Sequence, residues 1–202
     1  MNRRLGVLIS GRGSNLQAII DAIASGQLDA SIAVVISNRP GAMGLTKALA
    51  AGLSTEVLDH KLFASRREYD VALAALLRRY DVELVCLAGF MRLLGSDFVD
   101  AFPNAVLNVH PSLLPAFPGV NAQGQALEHG VKVAGCTVHV VTADLDAGPI
   151  IAQSAVPVLP ADTVETLSAR ILVQEHRLYP EAIGLVLAGG WRVEGRRFLL
   201  PE

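Results

Sequence analysis

The chain has few of the residues that mark secreted, membrane-spanning or nucleic-acid-binding proteins. Its 202 residues include two cysteines, only 18% are charged, and the net charge is −2. Cys86 and Cys136 both lie in apolar stretches, which favours buried thiols over a disulfide or a metal site. The basic residues are scattered, so nucleic acid is not an expected partner. No apolar run approaches the length of a membrane span. These absences, with 51% hydrophobic residues, predict a cytoplasmic protein with a packed core.

Short apolar runs alternate with helical segments along the first half of the chain. Five strands are predicted at residues 5–9, 32–36, 55–58, 84–88 and 105–109, and helices near residues 14–24, 45–51 and 65–80. Strands that are apolar throughout and alternate with helices are typical of a mostly parallel sheet with helices on both faces. The first half therefore predicts an α/β, Rossmann-like fold.

The pattern changes in the second half. Two longer antiparallel strands are predicted at residues 131–141 and 150–158, followed by a long helix over residues 163–187 that is interrupted near Pro180. A terminal hairpin is predicted at residues 192–199. No linker or repeat separates the halves, so we expect one domain of residues 1–202, with a first half (1–110) and a C-terminal half (111–202).

An asparagine and a histidine stand two residues apart where the fifth predicted strand ends. Asn108 and His110 flank Val109, so on a strand their side chains point to one face. Pro111 ends the strand because proline has no N–H to donate. An amide and an imidazole at the mouth of a sheet can stabilise an oxyanion and handle a proton. An isolated Asn-x-His more often caps a strand, but the Asp-Leu-Asp-Ala-Gly-Pro segment at residues 144–149 favours a functional site.

A glycine-rich turn lies between the first predicted strand and helix. Gly13, Ser14 and Asn15 follow Gly11-Arg12, so backbone N–H groups and two polar side chains meet at a helix start. Such a start binds anions well. The spacing is neither a dinucleotide fingerprint nor a Walker loop. From spacing alone, a phosphate-binding loop and an ordinary tight turn are equally good interpretations.

Taken together, these segments resemble the formyltransferases that use 10-formyltetrahydrofolate. The resemblance covers about residues 5–180, and its motifs lie at residues 10–16, 87–92, 108–115 and 174–176. The glycine-rich turn is similar to that of members acting in de novo purine synthesis. This implies formyl transfer from 10-formyltetrahydrofolate, as co-substrate, to the amine of 5-phosphoribosylglycinamide, without a metal. The alternatives are another amine acceptor, hydrolysis of the folate to release formate, and a non-catalytic folate-binding or nucleotide-sensing module.

The resemblance also implies roles for individual residues. The implied catalytic residues are Asn108, His110 and Asp146, with Asp146 pairing with the histidine. The residues implied to bind the substrate phosphate and ribose are Gly13, Ser14, Asn15 and Glu175. Those implied to border the folate are Arg66 (or its neighbour Arg67), Phe90, Met91, Arg92, Leu93, Val141 and Asp144.

Several of these residues have an ordinary structural interpretation as well. Without the resemblance, Glu175 is an exposed helix residue, Phe90 and Met91 are core residues, and Asp144 lies in a solvated turn. His139, in the sixth predicted strand, either lines the catalytic cleft or is a strand histidine with its hydrogen bonds satisfied. His60 is expected at the surface.

The resemblance further implies small-molecule partners, neither nucleic acid nor membrane, and a monomer or homodimer. The chain departs from the family at Asn121 and Gln123, where histidines are usual. Amides hydrogen-bond but do not titrate, so any proton-transfer role of those histidines is not expected here.

Overall fold

The computed structural model of the protein describes residues 3–201. The chain folds into two compact units whose boundary lies between Asn108 and Val109. The sequence predicted a division two residues later, between residues 110 and 111. It placed both halves in one domain of residues 1–202, of which residues 1, 2 and 202 lie outside the described part. The single domain stays a prediction.

The first unit is built on parallel strands in the order β3-β2-β1-β4-β5. Its strands are β1 (Arg4–Ile9), β2 (Ser31–Ser37), β3 (Thr55–Val57), β4 (Leu84–Leu87) and β5 (Val106–His110), which ends in the second unit. Its helices are α1 (Ser14–Ala24), α2 (Met43–Ala50), α3 (Arg66–Arg79), α4 (Ser96–Ala101) and a short 3-10 helix (His60–Leu62). The five predicted strands are confirmed, whereas α4 and the 3-10 helix were not predicted.

The core of this unit lies along β1, β2 and β4. Leu5, Val7, Leu8 and Ile9 of β1 have no exposed surface, as expected for a strand flanked on both sides by other strands. Full burial of such side chains contributes about 1.5–3 kcal/mol each. This packing fixes the carboxyl ends of β1 and β4 side by side, since the two strands pair in parallel from Leu5 and Leu84 onward.

The second unit contains antiparallel strands and a long helix. Its elements are α5 (Ala122–Glu128), β6 (Val133–Val140), β7 (Ile150–Pro157), α6 (Val164–Ala188), β8 (Arg192–Glu194) and β9 (Arg197–Leu199). Strand β6 pairs antiparallel with β7, and β8 with β9, which confirms the predicted antiparallel pair and the terminal hairpin. Strand β9 joins β7 in parallel at Ile150 and Arg197. The α/β class, with a parallel first half and antiparallel C-terminal strands, is therefore confirmed.

Helix α6 corrects one prediction. It begins at a capping box formed by Thr163 and Thr166 and continues through Pro180 to Ala188 without interruption. Proline lacks the N–H that a helix interior uses, but Pro180 is buried here, as are Tyr179 and Ala182 on either side. Packing on both sides of the proline outweighs the lost hydrogen bond, so the predicted break at Pro180 was wrong.

None of the helices within residues 3–201 combines the length and apolar composition that a membrane span requires.

Candidate active site

In the first unit, the glycine-rich turn packs tightly against α2. Gly13 adopts φ 66°, and a Cβ on it would lie 2.7 Å from the Cα of Gly44, so only glycine fits this position without strain. The N–H of Gly44 donates to the carbonyl of Gly11 at 2.9 Å. No side chain caps α1 at Gly13. The first N–H groups of α1, which include those of the predicted Ser14 and Asn15, are donors of the kind that bind phosphate.

Ser10 ties the start of this turn to the segment that follows β4. Its hydroxyl donates to Oδ1 of Asn38 at 2.6 Å and accepts the N–H of Met91 at 2.8 Å. Its own N–H donates to the carbonyl of Gly89 at 3.2 Å. Ser10 and Asn38 are both buried. Neither residue was predicted from the sequence to belong to the site, although Ser10 lies within the motif at residues 10–16.

The segment after β4 turns sharply and exposes two apolar side chains. Gly89 has φ 76°, and Phe90 is buried, whereas Met91 and Leu93 are 68% and 55% exposed. The core interpretation therefore holds for Phe90 and is wrong for Met91. The exposed side chains of Met91 and Leu93 offer apolar surface next to the carboxyl end of a strand, where ligands of parallel sheets bind.

Arg92 is held over an aromatic ring in the same unit. Its guanidinium carbon lies 4.7 Å from the ring centroid of Tyr69, a cation–π distance. Tyr69 is fully buried, and this burial raises the pKa of its hydroxyl despite the nearby charge of Arg92. The ring of Tyr69 thus packs against the guanidinium of Arg92 and holds it in place. Tyr69 is a residue that the sequence did not single out.

Arg66 and Arg67 have different surroundings. Arg67 forms an exposed ion pair with Asp97 at 2.7 Å. The charge of Arg66 instead acts on Asp70, whose Oδ2 accepts the N–H of Gly95 at 2.7 Å. Burial raises the pKa of Asp70, against the lowering effects of the Gly95 hydrogen bond and of Arg66. Both arginines thus act on a carboxylate, Asp70 or Asp97, and which of the two borders the folate stays a prediction.

Asn108 lies opposite Leu87 in the ladder between β4 and β5 and is half-buried. It is the last residue of the first unit, two positions before His110 on the same strand. This position confirms that Asn108 and His110 lie at the end of a strand, although their chemical roles stay predictions.

In the second unit, His110 and Asp146 lie side by side. Nδ1 of His110 is 3.4 Å from Oδ2 of Asp146, and Nε2 of His110 is 2.9 Å from the carbonyl oxygen of Phe117. His110 is 5% exposed. A carbonyl accepts hydrogen bonds only, so Nε2 donates to Phe117. The doubly protonated ring, which has two N–H donors, satisfies both contacts at once.

Asp146 also contacts a second histidine and a loop backbone. Its Oδ2 accepts the N–H of Gly119 at 2.8 Å, and its Oδ1 lies 3.6 Å from Nε2 of His139. Burial alone would raise the pKa of Asp146, but His139, Gly119 and His110 together hold it below its usual range. Asp146 is thus an ionised carboxylate at neutral pH, placed between two imidazoles.

The backbone around this cluster is constrained. Asp146 has φ 49°, and Gly119 has φ 80°. A left-handed conformation is uncommon for a residue with a side chain, and its strain is often found at functional sites. The turn after His110 is also fixed, because Thr137 of β6 donates to the carbonyl of Ser112 at 2.7 Å and accepts the N–H of Leu114 at 3.0 Å.

His139 is a buried strand residue whose ring lies at the cluster. Its Nδ1 is 3.1 Å from the carbonyl oxygen of Val140, so both of its ring nitrogens face acceptors. The two interpretations of His139 from the sequence are therefore compatible, since the ring is hydrogen-bonded and also lies next to Asp146.

Glu175 lies on α6 and is only 7% exposed. Its interpretation as an exposed helix residue was therefore wrong. Burial and the nearby charge of Glu175 raise the pKa of the Cys136 thiol to about 12. Cys136 and Cys86 are both buried free thiols, which confirms their predicted state. A buried carboxylate on this helix is a strong hydrogen-bond acceptor.

The remaining predicted residues lie at the start of the loop after β6. Val141 is half-buried, and Asp144 is exposed, with its carbonyl accepting the hydroxyl of Thr142 at 3.3 Å. The solvated-turn interpretation of Asp144 is compatible with this exposure.

His60, expected at the surface, is half-buried and hydrogen-bonded to Asn38.

Across residues 3–201, no group of three or more His, Cys, Asp and Glu side chains is arranged as metal ligands. The cluster around Asp146 instead combines imidazole donors, an ionised carboxylate and rigid backbone. Such an arrangement can stabilise developing negative charge and move a proton.

Comparisons with known proteins agree on one family. Residues 3–183 match the family model described as formyl transferase. The phosphoribosylglycinamide formyltransferase of Escherichia coli (strain K12) is 44% identical over 94% of this chain and 87% of its own length. The human trifunctional purine biosynthetic protein adenosine-3 is 52% identical over 92% of this chain, which spans 18% of that protein. Glycinamide ribonucleotide transformylase 1 from Symbiobacterium toebii superimposes with a TM-score of 0.97 at 58% identity, covering 98% of this chain and 94% of that one.

Proposed function

Because the chain belongs to the formyl transferase family, we propose that it transfers a formyl group from 10-formyltetrahydrofolate to the amine of 5-phosphoribosylglycinamide. This reaction is a step of de novo purine synthesis. The near full-length match to the single-function E. coli enzyme supports this activity. The chain spans 14% to 19% of the trifunctional relatives, so their other activities are not proposed for it.

The observation that carries the proposal is the pairing of His110 with an ionised Asp146. In the reaction, the amine nitrogen attacks the formyl carbon and a C–N bond forms, while the carbonyl electrons move to oxygen. The intermediate then collapses and the bond to N10 breaks, while the proton lost by the attacking amine passes to N10 of the departing tetrahydrofolate. Asn108 and His110 donate hydrogen bonds to the oxyanion, and Asp146 stabilises the charged imidazole.

The Nε2–H of His110 is engaged with the carbonyl of Phe117 in this structure. An oxyanion that binds Nε2 therefore has to displace that carbonyl. A negatively charged oxygen is the stronger acceptor, so the exchange favours the intermediate over the neutral formyl group. A contact that strengthens as charge develops accelerates the chemical step.

The phosphate of the acceptor is assigned to the start of α1. Gly13 permits a close backbone approach, and Ser14 and Asn15 supply donors next to the positive end of the helix dipole. Glu175 would accept hydrogen bonds from the ribose hydroxyls. Its burial supports a specific acceptor role over that of a solvated surface carboxylate.

The folate is assigned to the segment after β4 and to its neighbours. The exposed Met91 and Leu93, and Arg92 stacked on Tyr69, offer apolar surface and a positioned charge. The full set proposed for the folate is Arg66, Phe90, Met91, Arg92, Leu93, Val141 and Asp144.

We further infer that the protein acts in the cytoplasm on small molecules, as a monomer or a homodimer. Two buried free thiols support a reducing compartment. Sedimentation analysis of the purified chain would distinguish a monomer from a homodimer.

The activity is tested by incubating the purified protein with 10-formyltetrahydrofolate and phosphoribosylglycinamide. We expect tetrahydrofolate and the formylated amide in equal amounts, with very slow formate release when the amine is omitted, since water lacks the alignment that the phosphate gives the amine. Fast formate release without an amine would instead show a hydrolase. Formylation of a sugar nucleotide, with none of phosphoribosylglycinamide, would show a different acceptor. Folate binding without turnover of any acceptor would show a binding module.

A further inference from the structure

A cavity of about 500 Å³ lies in the first unit, beside the glycine-rich turn and outside the residues assigned to the reaction. Ser10 and Arg12 line the cavity, whereas Gly13, Ser14 and Asn15 do not. The volume is in the range of small-molecule sites, which span roughly 300–1,000 Å³. It is also far larger than a phosphate ion needs. The cavity therefore has room for a small molecule larger than the phosphate assigned to the start of α1.

The charges around this cavity are mostly of one sign. Arg12, Arg39 and Lys61 line it together with a single carboxylate, Asp59, although the whole chain has a net charge of −2. Among the described residues, the three cationic side chains form no salt bridge. Oδ1 of Asp59 accepts the N–H of Lys61 at 3.0 Å and also lies 3.8 Å from Nδ1 of His60. The cavity lining therefore carries three positive charges against one negative charge, so its net charge is positive.

Hydrogen bonds through the buried Asn38 connect two residues that line the cavity, Ser10 and His60. Asn38, which is 1% exposed, accepts the hydroxyl of Ser10 at 2.6 Å, and its carbonyl oxygen lies 3.0 Å from Nδ1 of His60. Nδ2 of Asn38 lies 3.3 Å from the same ring nitrogen, so Asn38 holds the His60 ring through both its backbone and its side chain. The network joins the glycine-rich turn to the 3-10 helix, so the wall is ordered before a ligand arrives, which lowers the entropic cost of binding.

We propose that this cavity binds a nucleoside phosphate. Three cations around one cavity match a ligand that carries two or more negative charges, as a diphosphate does. The volume, with Pro40 and the half-exposed Met43 on the wall, accommodates an organic group beside the phosphates. The proposal does not rest on the formyl transfer, because it concerns binding alone.

The test is calorimetric titration of the full chain with ADP at low salt, alongside inorganic diphosphate and adenosine. We expect ADP to bind one to one and more tightly than diphosphate, and adenosine to give no signal. Removing two cations in Arg39→Gln/Lys61→Gln should weaken ADP by about tenfold, since exposed charge contacts are individually weak. Added salt should weaken ADP in the parent protein.

Two control variants separate this cavity from other charged surface. Arg79→Gln removes an exposed arginine of α3 outside the cavity, and Ser14→Ala/Asn15→Ala removes polar side chains at the start of α1. Neither should change ADP binding. Absence of ADP binding at millimolar concentration would overturn the proposal. It would also be overturned if ADP binding were lost in Ser14→Ala/Asn15→Ala and kept in Arg39→Gln/Lys61→Gln, because the glycine-rich turn would then account for it. Circular dichroism of each variant verifies its fold.

Discussion

Oδ2 of Asp146 lies 3.4 Å from Nδ1 of His110 and accepts the N–H of Gly119 at 2.8 Å. The carboxylate therefore holds the imidazole and a loop residue at the same time. The pKa of Asp146 stays below its usual range, since His139, Gly119 and His110 outweigh the effect of its burial. A buried charge with this many partners is expected to act on the chemical step as well as on stability.

The first prediction concerns this pair. His110→Ala and Asp146→Asn should each lower kcat about a hundredfold or more, because proton transfer and charge stabilisation contribute on that scale, with KM changed far less. Asp100→Asn, which alters an exposed carboxylate on α4, is the matched control and should leave kcat unchanged. Steady-state kinetics with both substrates varied would measure this. A kcat within a few-fold of the parent in either variant would remove that residue from the mechanism.

The second prediction concerns the start of α1. Ser14→Ala/Asn15→Ala should raise KM for phosphoribosylglycinamide about ten- to a hundredfold, since a hydrogen bond to a charged group contributes roughly 1.5–3 kcal/mol. Affinity for the folate should hardly change. Ser25→Ala, at the other end of the same helix, controls for helix stability. Separate calorimetric titrations of the two substrates would check this, and equal weakening of both would show that the turn has only a structural role.

The strand framework was predictable from the sequence, because β4 is apolar throughout and β1 and β5 are mostly apolar. The short helices α4 and α5 were not. Helix α4 has six residues and no side-chain cap, and the N-cap residue of α5, Asn121, has a left-handed conformation. Short helices have little intrinsic stability and depend on tertiary packing, which local sequence does not display.

Only the side chains of the candidate site could be predicted from the sequence, and their backbone partners could not. A strand end with Asn108 and His110 can be recognised from residue types and spacing. The partners of His110 and Asp146 include the carbonyl of Phe117 and the N–H of Gly119, and every residue has such groups. The support of Arg92 by Tyr69, 23 residues earlier, likewise depends on how α3 packs and not on any local motif.

The third prediction concerns that support. Tyr69→Leu removes the ring under Arg92 and should raise KM for 10-formyltetrahydrofolate roughly two- to thirtyfold, the range of a cation–π contribution of about 0.5–2 kcal/mol. KM for phosphoribosylglycinamide should not change. Tyr69→Phe keeps the ring and should behave like the parent, because the Tyr69 hydroxyl has no hydrogen-bond partner among the described residues. Equal effects on both KM values would indicate general destabilisation instead of a positioning role.

The fourth prediction is a pH dependence of stability. Arg170 holds Asp162 through two contacts of 2.7 and 2.8 Å, and with the N–H of Leu159 it keeps the pKa of Asp162 well below its usual range. A carboxyl whose pKa is lower in the folded than in the unfolded state stabilises the fold above the unfolded value, about 4, and loses that contribution as the pH falls. Asp162→Asn should therefore lower Tm at pH 7, and the difference from the parent should shrink below pH 4. Thermal melts from pH 7 to 3 would measure it; a difference that is independent of pH would contradict the assignment.

The last prediction concerns Gly148, two residues after Asp146. A Cβ at Gly148 would lie 1.8 Å from the carbonyl oxygen of Val140, the same oxygen that lies 3.1 Å from Nδ1 of His139. The carbonyl of Val140 is part of the backbone and cannot move aside as the end of a flexible side chain can. Gly148→Ala must therefore displace the end of β6 or the turn that holds Asp146, at a cost of about 1–3 kcal/mol typical of overpacking.

Gly41→Ala is the matched control, because a Cβ there has no neighbour within 4 Å and the residue does not have a positive φ. Its stability should equal or slightly exceed that of the parent, since alanine restricts the unfolded chain. Urea denaturation of both variants would compare their free energies of unfolding, and kinetics would follow kcat. We expect Gly148→Ala to lose both stability and kcat, because the displaced carbonyl belongs to the hydrogen-bonded surroundings of His139. If Gly148→Ala matched Gly41→Ala in both measurements, the close approach between Gly148 and Val140 would not constrain the site.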